Sequence, residues 1–297
     1  MNLKYMILLN VLFIVIASSC MTPMAKFTMS TTLAESPATV SFENQSENAD
    51  SYLWNFGDGT TSTDSVTNHR YVHSGKYEVS LKAIKGKKSN TMSQPLVIHP
   101  PTKCLIEITT DYGVMIAELY DATPKHRDNM LKLIEEGFYN GLLFHRVIDG
   151  FMIQGGDPNS RDAAAGAQLG SGGPGYQVPA EFVDSLVHIK GAIAAARTGD
   201  QVNPQKMSSG SQFYIVQGSP IEESMLKTIE QRKGFTYTPE QKKEYVELGG
   251  TPMLDRDYTV FGRVISGLEV IDKIAQVQKD SRDRPSKDVK MSIKAIK

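Results

Sequence analysis

The sequence predicts a mainly β protein in two parts, a small N-terminal β-sandwich followed by a β-barrel that two helices cap. Between Leu33 and His99, short strand-like runs alternate with turns, and no helical periodicity is long enough to predict a helix. Beyond a stiff Pro100-Pro101 break, Lys103–Lys297 combines many strand-like runs with two helical patterns, which is typical of a closed, capped barrel. We therefore expect domains at 33–99 and 103–297.

The composition is that of an ordinary globular chain with room for about two domains. The chain has 297 residues, 40% of them hydrophobic, and a formal net charge of −1. Such a near-neutral chain lacks the basic surface by which proteins bind nucleic acids, so the composition argues against that class.

The first residues, 1–19, predict a signal peptide. In MNLKYMILLNVLFIVIASSC the single charge, Lys4, precedes the apolar run Met6–Ile16, which is too short to cross a bilayer. Small residues then lead into Cys20. This pattern resembles the lipobox of bacterial lipoproteins, although Ala17 stands where that family more often has leucine.

The lipobox resemblance implies that Cys20 becomes the first mature residue and carries lipid on its thiol and amine. The polar residues 20–32 then form a tether to the first domain. We expect a membrane-anchored protein of the cell envelope, on the periplasmic face or in the outer membrane. Plain secretion after a nearby cleavage is the alternative.

One long stretch predicts the family of the first domain. SYLWNFGDGTTSTDSVTNHRYVHSGKYEVSLKAI resembles the PKD domain, an immunoglobulin-like β-sandwich. The matching residues are Trp54, Phe56-Gly57-Asp58-Gly59, His69, Tyr71, Gly75, Tyr77 and Val79. Trp54 and Phe56 point the same way along a strand, and the turn that follows needs its aspartate for geometry rather than as a cation ligand. We expect no metal site at His69 and His73, and the resemblance implies a spacer or a contact with a protein or glycan.

The second part begins with two strands and a helix. CLIEITT and GVMIAELY pair around Asp111-Tyr112-Gly113, and a helix then starts at Thr123 and Pro124. Later strands are predicted in GAIAAAR, SQFYIVQ, YTVFGRV and KMSIKAI, and a second helix in GLEVIDKIAQV. Cys104 lies in the first strand and has no partner if Cys20 is lipidated, so we expect it to be a small buried apolar residue.

The stretch FHRVIDGFMIQGGDP, Phe144–Pro158, has an arginine and apolar residues but no nucleophile beside a base and no metal-ligand cluster. Together with GAIAAAR, SSGSQFYIV and LDRDYTVFGRV it resembles the cyclophilin family over nearly all of Lys103–Lys297. The resemblance implies an eight-stranded antiparallel barrel with two helices, and peptidyl-prolyl cis–trans isomerase activity on proline-containing polypeptides. Rotation about an X–Pro bond breaks no covalent bond, so we predict neither a cofactor nor a metal.

The resemblance also assigns roles to single residues. Arg146 is the predicted catalytic residue, because a charged donor near the prolyl nitrogen stabilises the twisted bond. The predicted substrate-binding residues are Phe151, Met152, Gln154, Ala196, Arg197, Gln212, Tyr214, Met253, Leu254 and Tyr258. Among them, Gln154 and Gln212 match glutamines that bond to the substrate backbone, and Tyr214 stands where the family usually has phenylalanine.

Three of these positions depart from many eukaryotic members of the family. Met253 replaces a tryptophan that is important for cyclosporin binding, which predicts weak cyclosporin affinity. Tyr258 replaces a histidine and keeps an aromatic wall. Arg197 replaces an asparagine whose backbone binds the peptide, and its added charge predicts a preference for acidic substrates.

Neighbouring residues have a structural interpretation as well. Arg146 is, in the alternative to catalysis, an ion-pair partner of Asp149 or Asp157. His145 is expected to be structural, because the reaction needs no base and strand alternation turns it away from Arg146.

An insertion, Ile221–Gly250, interrupts the second domain and predicts two short helices. The first places Met225, Leu226 and Ile229 together on one apolar side, and the second starts at Thr238 with a capping box. Because the insertion precedes Leu254 closely in the chain, we expect it to flank the groove. It is either a substrate-selecting lid or partner surface, or a tolerated elaboration of the surface.

These predictions combine into a lipid-anchored prolyl isomerase that assists the folding of exported proteins. A non-catalytic module that holds proline-containing chains is one alternative. A surface adhesin, in which the PKD domain carries the main role, is another.

Overall fold

The computed structural model describes residues 22–297, so the predicted signal peptide and Cys20 lie outside the described residues. The chain forms two compact units, of which the first comprises 22–71 and 75–99 and the second comprises 72–74 and 100–297. Within residues 22–297, no helix has both the length and the apolar composition that a membrane span requires.

The first unit is a β-sandwich of two sheets. Its strands are β1 (Phe27–Met29), β2 (Leu33–Glu35), β3 (Ala38–Asn44), β4 (Ser51–Asn55), β5 (Thr61–Ser62), β6 (Val66–Tyr71), β7 (Gly75–Lys85) and β8 (Lys88–His99). One sheet has the order β1-β3-β6 and the other the order β2-β8-β7-β4-β5. All pairings are antiparallel except that of β2 with β8.

Alternation along β4 supplies the aromatic core between these sheets. Trp54 is fully buried, Asn55 is exposed, and Phe56 is buried again. The indole of Trp54 donates to the carbonyl of Asp64 at 2.9 Å, and the hydroxyl of Tyr71 donates to the carbonyl of Phe56 at 2.9 Å. Both aromatic polar groups are therefore satisfied inside the core.

Asp58 is the turn residue that the sequence predicts, with one further contact. Its carboxylate accepts hydrogen bonds from the main chain and hydroxyl of Thr60, at 3.0 and 2.6 Å, and lies 2.6 Å from Nε2 of His69. Burial alone would raise the pKa of Asp58, but the hydrogen bonds from Thr60 and His69 lower it overall. His69 also stacks on Phe56, so it is a structural residue of the sandwich.

The second unit is built on a curled antiparallel sheet of eight strands. Its strands are β9 (Leu105–Thr110), β10 (Gly113–Leu119), β11 (Phe144–Ile148), β12 (Met152–Gly155), β13 (Gln177–Val178), β14 (Ala192–Ala195), β15 (Ser208–Ser209), β16 (Phe213–Val216), β17 (Val260–Ser266) and β18 (Met291–Ala295). The pair β13–β15 stands apart, and the others have the order β11-β12-β16-β14-β17-β10-β9-β18. Main-chain hydrogen bonds between residues 141–144 and 289–291 join the two edges, which confirms the predicted barrel.

The described residues contain four α-helices, α1 (Pro124–Glu135), α2 (Glu223–Lys233), α3 (Pro239–Glu247) and α4 (Leu268–Ala275). Helices α1 and α4 cap the barrel as predicted. Met130 and Ile134 of α1, and Val270 and Ile274 of α4, are buried in the same core as the strands.

A distant carboxylate, rather than Thr123, caps the start of α1. Thr123 occupies the N-cap position, but its hydroxyl bonds to the carbonyl of Tyr120 at 3.4 Å. The carboxylate of Glu181 accepts the main-chain N–H groups of Lys125 and His126 at 3.1 and 3.0 Å, and it lies 2.7 Å from Nδ1 of His126. A negative charge is favourable at this end of a helix, where N–H groups lack partners.

Helices α2 and α3 make up the insertion. Thr238 and Gln241 form the predicted capping box at the start of α3. The prediction for Met225 is wrong, because this side chain is 43% exposed. The other two predicted residues, Leu226 and Ile229, do form the buried stripe of α2, and Met225 lies about 100° away from Leu226 around the helix.

Loss of the Glu181 cap should destabilise the barrel. We expect Glu181→Ala to lower the free energy of unfolding by about 1–3 kcal/mol, because two helix N–H groups and a buried histidine lose their acceptor. Urea unfolding followed by circular dichroism measures the change. The matched control is Glu136→Ala at the exposed end of α1, where we expect a change below about 0.5 kcal/mol. Equal effects of the two substitutions would contradict the capping role.

Candidate active site

Strands β11 and β12 form the hairpin that presents the predicted catalytic arginine. Arg146 pairs with Gln154 across the hairpin, and a bulge separates this pair from the pairing of Phe144. Phe144 and Val147 lie in the barrel core, whereas the side chain of Arg146 is 44% exposed. Because paired residues of antiparallel strands project to the same face, Arg146 and Gln154 lie side by side on the outside of the barrel.

Side-chain alternation along β12, β16 and β14 produces a second apolar layer on this outer face. Ile153, Ile215 and Ile193 lie in the barrel core, and their neighbours along each strand face the opposite way. The outer layer contains Met152, Ala192, Ala194, Tyr214, Val216 and Val260, with Phe151, Ala196, Leu254 and Tyr258 packed against it.

A cavity of about 180 Å³ opens on this layer. Its lining residues are Arg146, Phe151, Met152, Gln154, Ala196, Arg197, Tyr214, Leu254 and Tyr258. An apolar cavity of about 150 Å³ can hold benzene, so this one is large enough for the five-membered ring of proline. The structure therefore brings most of the predicted site residues together around one ring-sized space.

A chain of side-chain hydrogen bonds holds the polar side of this cavity. Arg146 donates through Nη1 to Oε1 of Gln154 at 3.4 Å, and Gln154 donates through Nε2 to Oε1 of Gln212 at 3.2 Å. The carboxylate of Asp283 lies 3.9 Å from Nε of Arg146, which is too far for a hydrogen bond. The guanidinium is therefore oriented by Gln154 while its exposed N–H groups can reach a ligand.

The structural alternative for Arg146 is wrong. Asp149 accepts a hydrogen bond from Gln217 at 3.1 Å. Asp157 is fully buried and accepts main-chain N–H groups of the loop 170–172. Among the described ion pairs, neither carboxylate is a partner of Arg146, so the arginine is not tied to them.

Gln212 lies in the wall of an adjoining groove rather than in the cavity. Its Nε2 donates to the carbonyls of Gly170 and Gly172 at 3.0 and 2.7 Å, and its Oε1 accepts from Gln154. Both polar atoms are thus engaged within the protein. The structure gives the Gln212 side chain a supporting role in this groove, and its contact with a substrate backbone stays a prediction.

The adjacent glycines of the hairpin motif are explained by close packing. Gly156 has φ of +88°, a conformation that favours glycine, and a Cβ there would collide with the carbonyl of Ser211. A Cβ on Gly155 would collide with the side chain of Met291. The turn that follows β12 can therefore lie against β16 and the barrel edge only without these side chains.

The sequence profile described as cyclophilin type peptidyl-prolyl cis-trans isomerase/CLD matches residues 105–295. The chain belongs to this cyclophilin family. A second profile, described as PKD domain, matches residues 20–99 and confirms the resemblance predicted for the N-terminal unit.

Curated relatives of this cyclophilin carry matching names. A "Putative peptidyl-prolyl cis-trans isomerase" of Staphylococcus saprophyticus is 38% identical over 185 residues, which cover 61% of this chain and 85% of that protein. A "Putative bifunctional phosphatase/peptidyl-prolyl cis-trans isomerase" of Streptococcus pyogenes is 40% identical over 190 residues, and the chain spans only 37% of its length. A solved cyclophilin type isomerase of Cryptosporidium parvum is 24% identical with a TM-score of 0.47, and covers 66% of this chain and 98% of its own.

Arg197 departs from the prediction made for the cyclophilin groove. Its side chain is 4% exposed, and its guanidinium donates to the carbonyl of Asp257 at 2.7 Å and to the carboxylate of Asp200 at 2.6 Å. It also lies over the ring of Tyr258, 4.5 Å from the centroid. The charge is paired and covered, so it gives no support to the expected preference for acidic substrates, which stays a prediction. Arg197 instead supports the aromatic wall that Tyr258 provides.

Met253 does not join the other pocket residues. It is 45% exposed, and its carbonyl accepts a hydrogen bond from Nζ of Lys233 at 2.7 Å. The next residue, Leu254, lines the cavity, because the short 3₁₀ turn Pro252–Leu254 points successive side chains in different directions. Weak cyclosporin affinity stays a prediction.

His145 is buried and does not line the ring-sized cavity. Neither of its ring nitrogens has a hydrogen-bond partner among the described residues. Burial lowers its pKa to about 4, so the ring is neutral near neutral pH. These features agree with the structural role expected for it.

Sequence reasoning missed the roles of three buried groups, Asp157, His188 and Asp255. The glycine-rich run 170–175 was a usable signal for Asp157, because the N–H groups of such a loop need acceptors. His188 and Asp255 gave no local signal, because they are partners across 67 residues of chain.

Buried His145 predicts a loss of stability in acid. The unfolded chain binds a proton on this ring below about pH 6.5, whereas the pKa in the folded protein is about 4. Between these values the unfolded state binds more protons, so stability falls with falling pH by about 1.4 kcal/mol per pH unit. Burial also lowers the pKa of His126, which acts in the same direction.

Urea unfolding near neutral pH and near pH 5 checks this prediction. We expect His145→Leu, which removes the titrating ring, to reduce the difference in unfolding free energy between the two conditions by about 2 kcal/mol. The same pH dependence in the variant and the original chain would show that His145 does not contribute.

Proposed function

We propose that the C-terminal domain catalyses cis–trans isomerisation of X–Pro bonds in exported polypeptides and thereby assists their folding. The observation that carries this proposal is the ring-sized cavity, with Arg146 on its polar side and Phe151, Met152 and Leu254 on its apolar side. Membership of the cyclophilin family supports the same reaction.

The X–Pro bond resists rotation because resonance gives its C–N bond partial double-bond character. Rotation without a catalyst takes roughly tens to hundreds of seconds, and bringing it to milliseconds lowers the barrier by roughly 5–7 kcal/mol. In the twisted state the prolyl nitrogen has a localised lone pair that accepts a hydrogen bond. The reaction therefore needs a donor and an anchor for the ring, and neither a nucleophile nor a general base.

In this mechanism Arg146 donates a charge-assisted hydrogen bond to the prolyl nitrogen of the twisted state, which contributes about 1.5–3 kcal/mol. The rest comes from the cavity, which holds the ring away from water while the other side of the bond turns. Gln154 lies 3.4 Å from Arg146 and fixes the guanidinium. It can also offer its amide to the substrate backbone.

We also propose that the protein is anchored in the cell envelope through lipid on Cys20. The support is the short apolar run followed by small residues and this cysteine. The predicted tether 20–32 is too long, because Met24 already pairs with Glu47 and Phe27–Met29 is strand β1 of the sandwich. The tether therefore ends before Met24, and the PKD domain serves as a spacer or as a contact with a protein or glycan. This location would bring the isomerase to newly exported chains.

Removal of the guanidinium should slow isomerisation. We expect Arg146→Ala to lower kcat/KM for a proline peptide by about 10- to 150-fold, the equivalent of one charge-assisted hydrogen bond. Arg146→Lys keeps the charge but loses the planar guanidinium, so its kcat/KM should lie between those of the original chain and Arg146→Ala. NMR exchange on a proline peptide, or a protease-coupled assay, measures the rates.

The control for charge alone is Arg282→Ala, because this arginine is 53% exposed and does not line the ring-sized cavity. Its rate should stay within about twofold of the original chain. Equal isomerisation rates for the original chain and Arg146→Ala would contradict the proposed enzymatic function. They would favour a non-catalytic module that holds proline-containing chains.

The anchor is tested by removing the lipidated cysteine. When the full chain is expressed in a bacterium, Cys20→Ala should move it from the membrane fraction to the soluble fraction and abolish incorporation of labelled fatty acid. Cys104→Ala, the matched loss of a cysteine, should leave both unchanged. Plain secretion predicts that the original chain is soluble and unlabelled, which would contradict the proposal.

A further inference from the structure

A buried line of hydrogen bonds runs from the floor of the cavity into the insertion. The hydroxyl of Tyr214 lies 2.9 Å from Nε2 of His188, and Nδ1 of His188 lies 2.7 Å from Oδ1 of Asp255. The other oxygen of Asp255 lies 2.6 Å from the hydroxyls of both Tyr237 and Tyr245. All five residues are at most 5% exposed. We call them the floor relay.

The chemistry of Asp255 fixes the direction of the bonds that it makes. Its carboxylate accepts from both tyrosine hydroxyls, from Nδ1–H of His188 and from the main-chain N–H of His188 at 2.8 Å. In the neutral imidazole this leaves Nε2 as the acceptor of the Tyr214 hydroxyl, and in the imidazolium Nε2 donates to that hydroxyl. In either form the 2.9 Å contact holds the Tyr214 hydroxyl at His188, while Tyr214 lines the cavity.

The insertion is packed into the domain rather than laid on its surface. Tyr237 and Tyr245 belong to a buried cluster with Leu226 and Ile229 of α2, and with Val187 and Ile189 on either side of His188. The insertion is therefore not confined to the surface. Removing residues 221–250 would expose this cluster and leave Asp255 without two of its donors.

A second contact ties the insertion to the wall of the cavity. Lys233, at the end of α2, donates through Nζ to the carbonyls of Met253 and Asp255 at 2.7 and 2.6 Å. It also pairs with Asp257 at 2.7 Å. These bonds fix the main chain on both sides of Leu254, which lines the cavity.

We propose that the insertion positions the floor of the proline cavity, with Tyr237 and Tyr245 acting on Tyr214 through Asp255 and His188. The proposal rests on the isomerase function proposed above and makes these tyrosines positioning residues for it. A buried tyrosine hydroxyl without a partner is unfavourable. Where the family usually has phenylalanine, this chain can use tyrosine because the floor relay takes up its hydroxyl and holds the ring at a fixed depth.

A cycle of variants tests the proposal on the full chain. Tyr237→Phe with Tyr245→Phe removes both hydroxyls, and should lower kcat/KM for a proline peptide about tenfold, because the misplaced floor no longer fits the ring. In a chain that also carries Tyr214→Phe, the same two substitutions should lower kcat/KM less than about threefold. The reason is that no Tyr214 hydroxyl is left for the floor relay to hold. Equal losses in the two backgrounds would overturn the proposal, because a purely structural insertion acts regardless of the Tyr214 hydroxyl.

Tyr139→Phe is the matched control. It removes another buried hydroxyl of the same domain, which donates to the carbonyl of Ser211 at 3.2 Å and has no contact with the floor relay. We expect it to lower thermal stability and to leave kcat/KM within about twofold. If the double variant fails to fold, each single tyrosine variant is compared in the same two backgrounds.

Imidazole nitrogen NMR gives a readout that does not depend on turnover. The ¹⁵N shifts should show His188 protonated at Nδ1, and loss of the two distant hydroxyls should move the Nε2 resonance. An Nε2 resonance that Tyr237→Phe with Tyr245→Phe leaves unchanged would overturn the floor relay. If the original chain does not isomerise a proline peptide at all, the proposed function fails. The NMR spectrum and the dissociation constant for a proline peptide still test whether the floor relay positions Tyr214.

Discussion

Side-chain alternation along β12, β16 and β14 is the constraint on which the barrel domain depends. Each strand sends one residue into the core and the next to the outer face, so Ile153 is fully buried in the barrel while Gln154 faces the groove. A slip of one residue in these pairings would exchange the two layers. The register that closes the core therefore also places Arg146 beside Gln154 and sets Tyr214 under the cavity. Stability and site geometry come from the same hydrogen-bonded ladder.

Three carboxylates bind segments of the domain that lie outside the hydrogen-bonded sheet. Glu181 caps α1, Asp157 binds the N–H groups of the loop 170–172, and Asp255 binds two tyrosines of the insertion. Burial of a carboxylate is costly unless hydrogen bonds replace water, and each of these accepts several. Each one joins segments that are distant in sequence, so a few acceptors help to fix the loops around the groove.

The two arginines of the cavity show how the surroundings decide the role of a charge. Arg197 is nearly covered, pairs with Asp200 and lies over the ring of Tyr258, so its charge is already paired within the wall of the cavity. Arg146 is 44% exposed, and the closest carboxylate oxygen described for it, on Asp283, is 3.9 Å away. A guanidinium with one long ion pair and exposed N–H groups can donate to a ligand, whereas one with close partners on several sides acts as part of the scaffold.

The sequence by itself determined the features that depend on neighbouring residues. Alternation predicted the sandwich and the barrel, and the Thr238 capping box predicted the start of α3. The residues of the cavity were implied by the resemblance of several motifs to the cyclophilin family. Only the tertiary structure decided which charges are free and which ends are capped, as for Arg197 and Glu181. It also decided that the insertion reaches the cavity floor through Asp255. The physical reason is that a hydrogen bond or an ion pair depends on which group comes near in space, and these partners lie far apart along the chain.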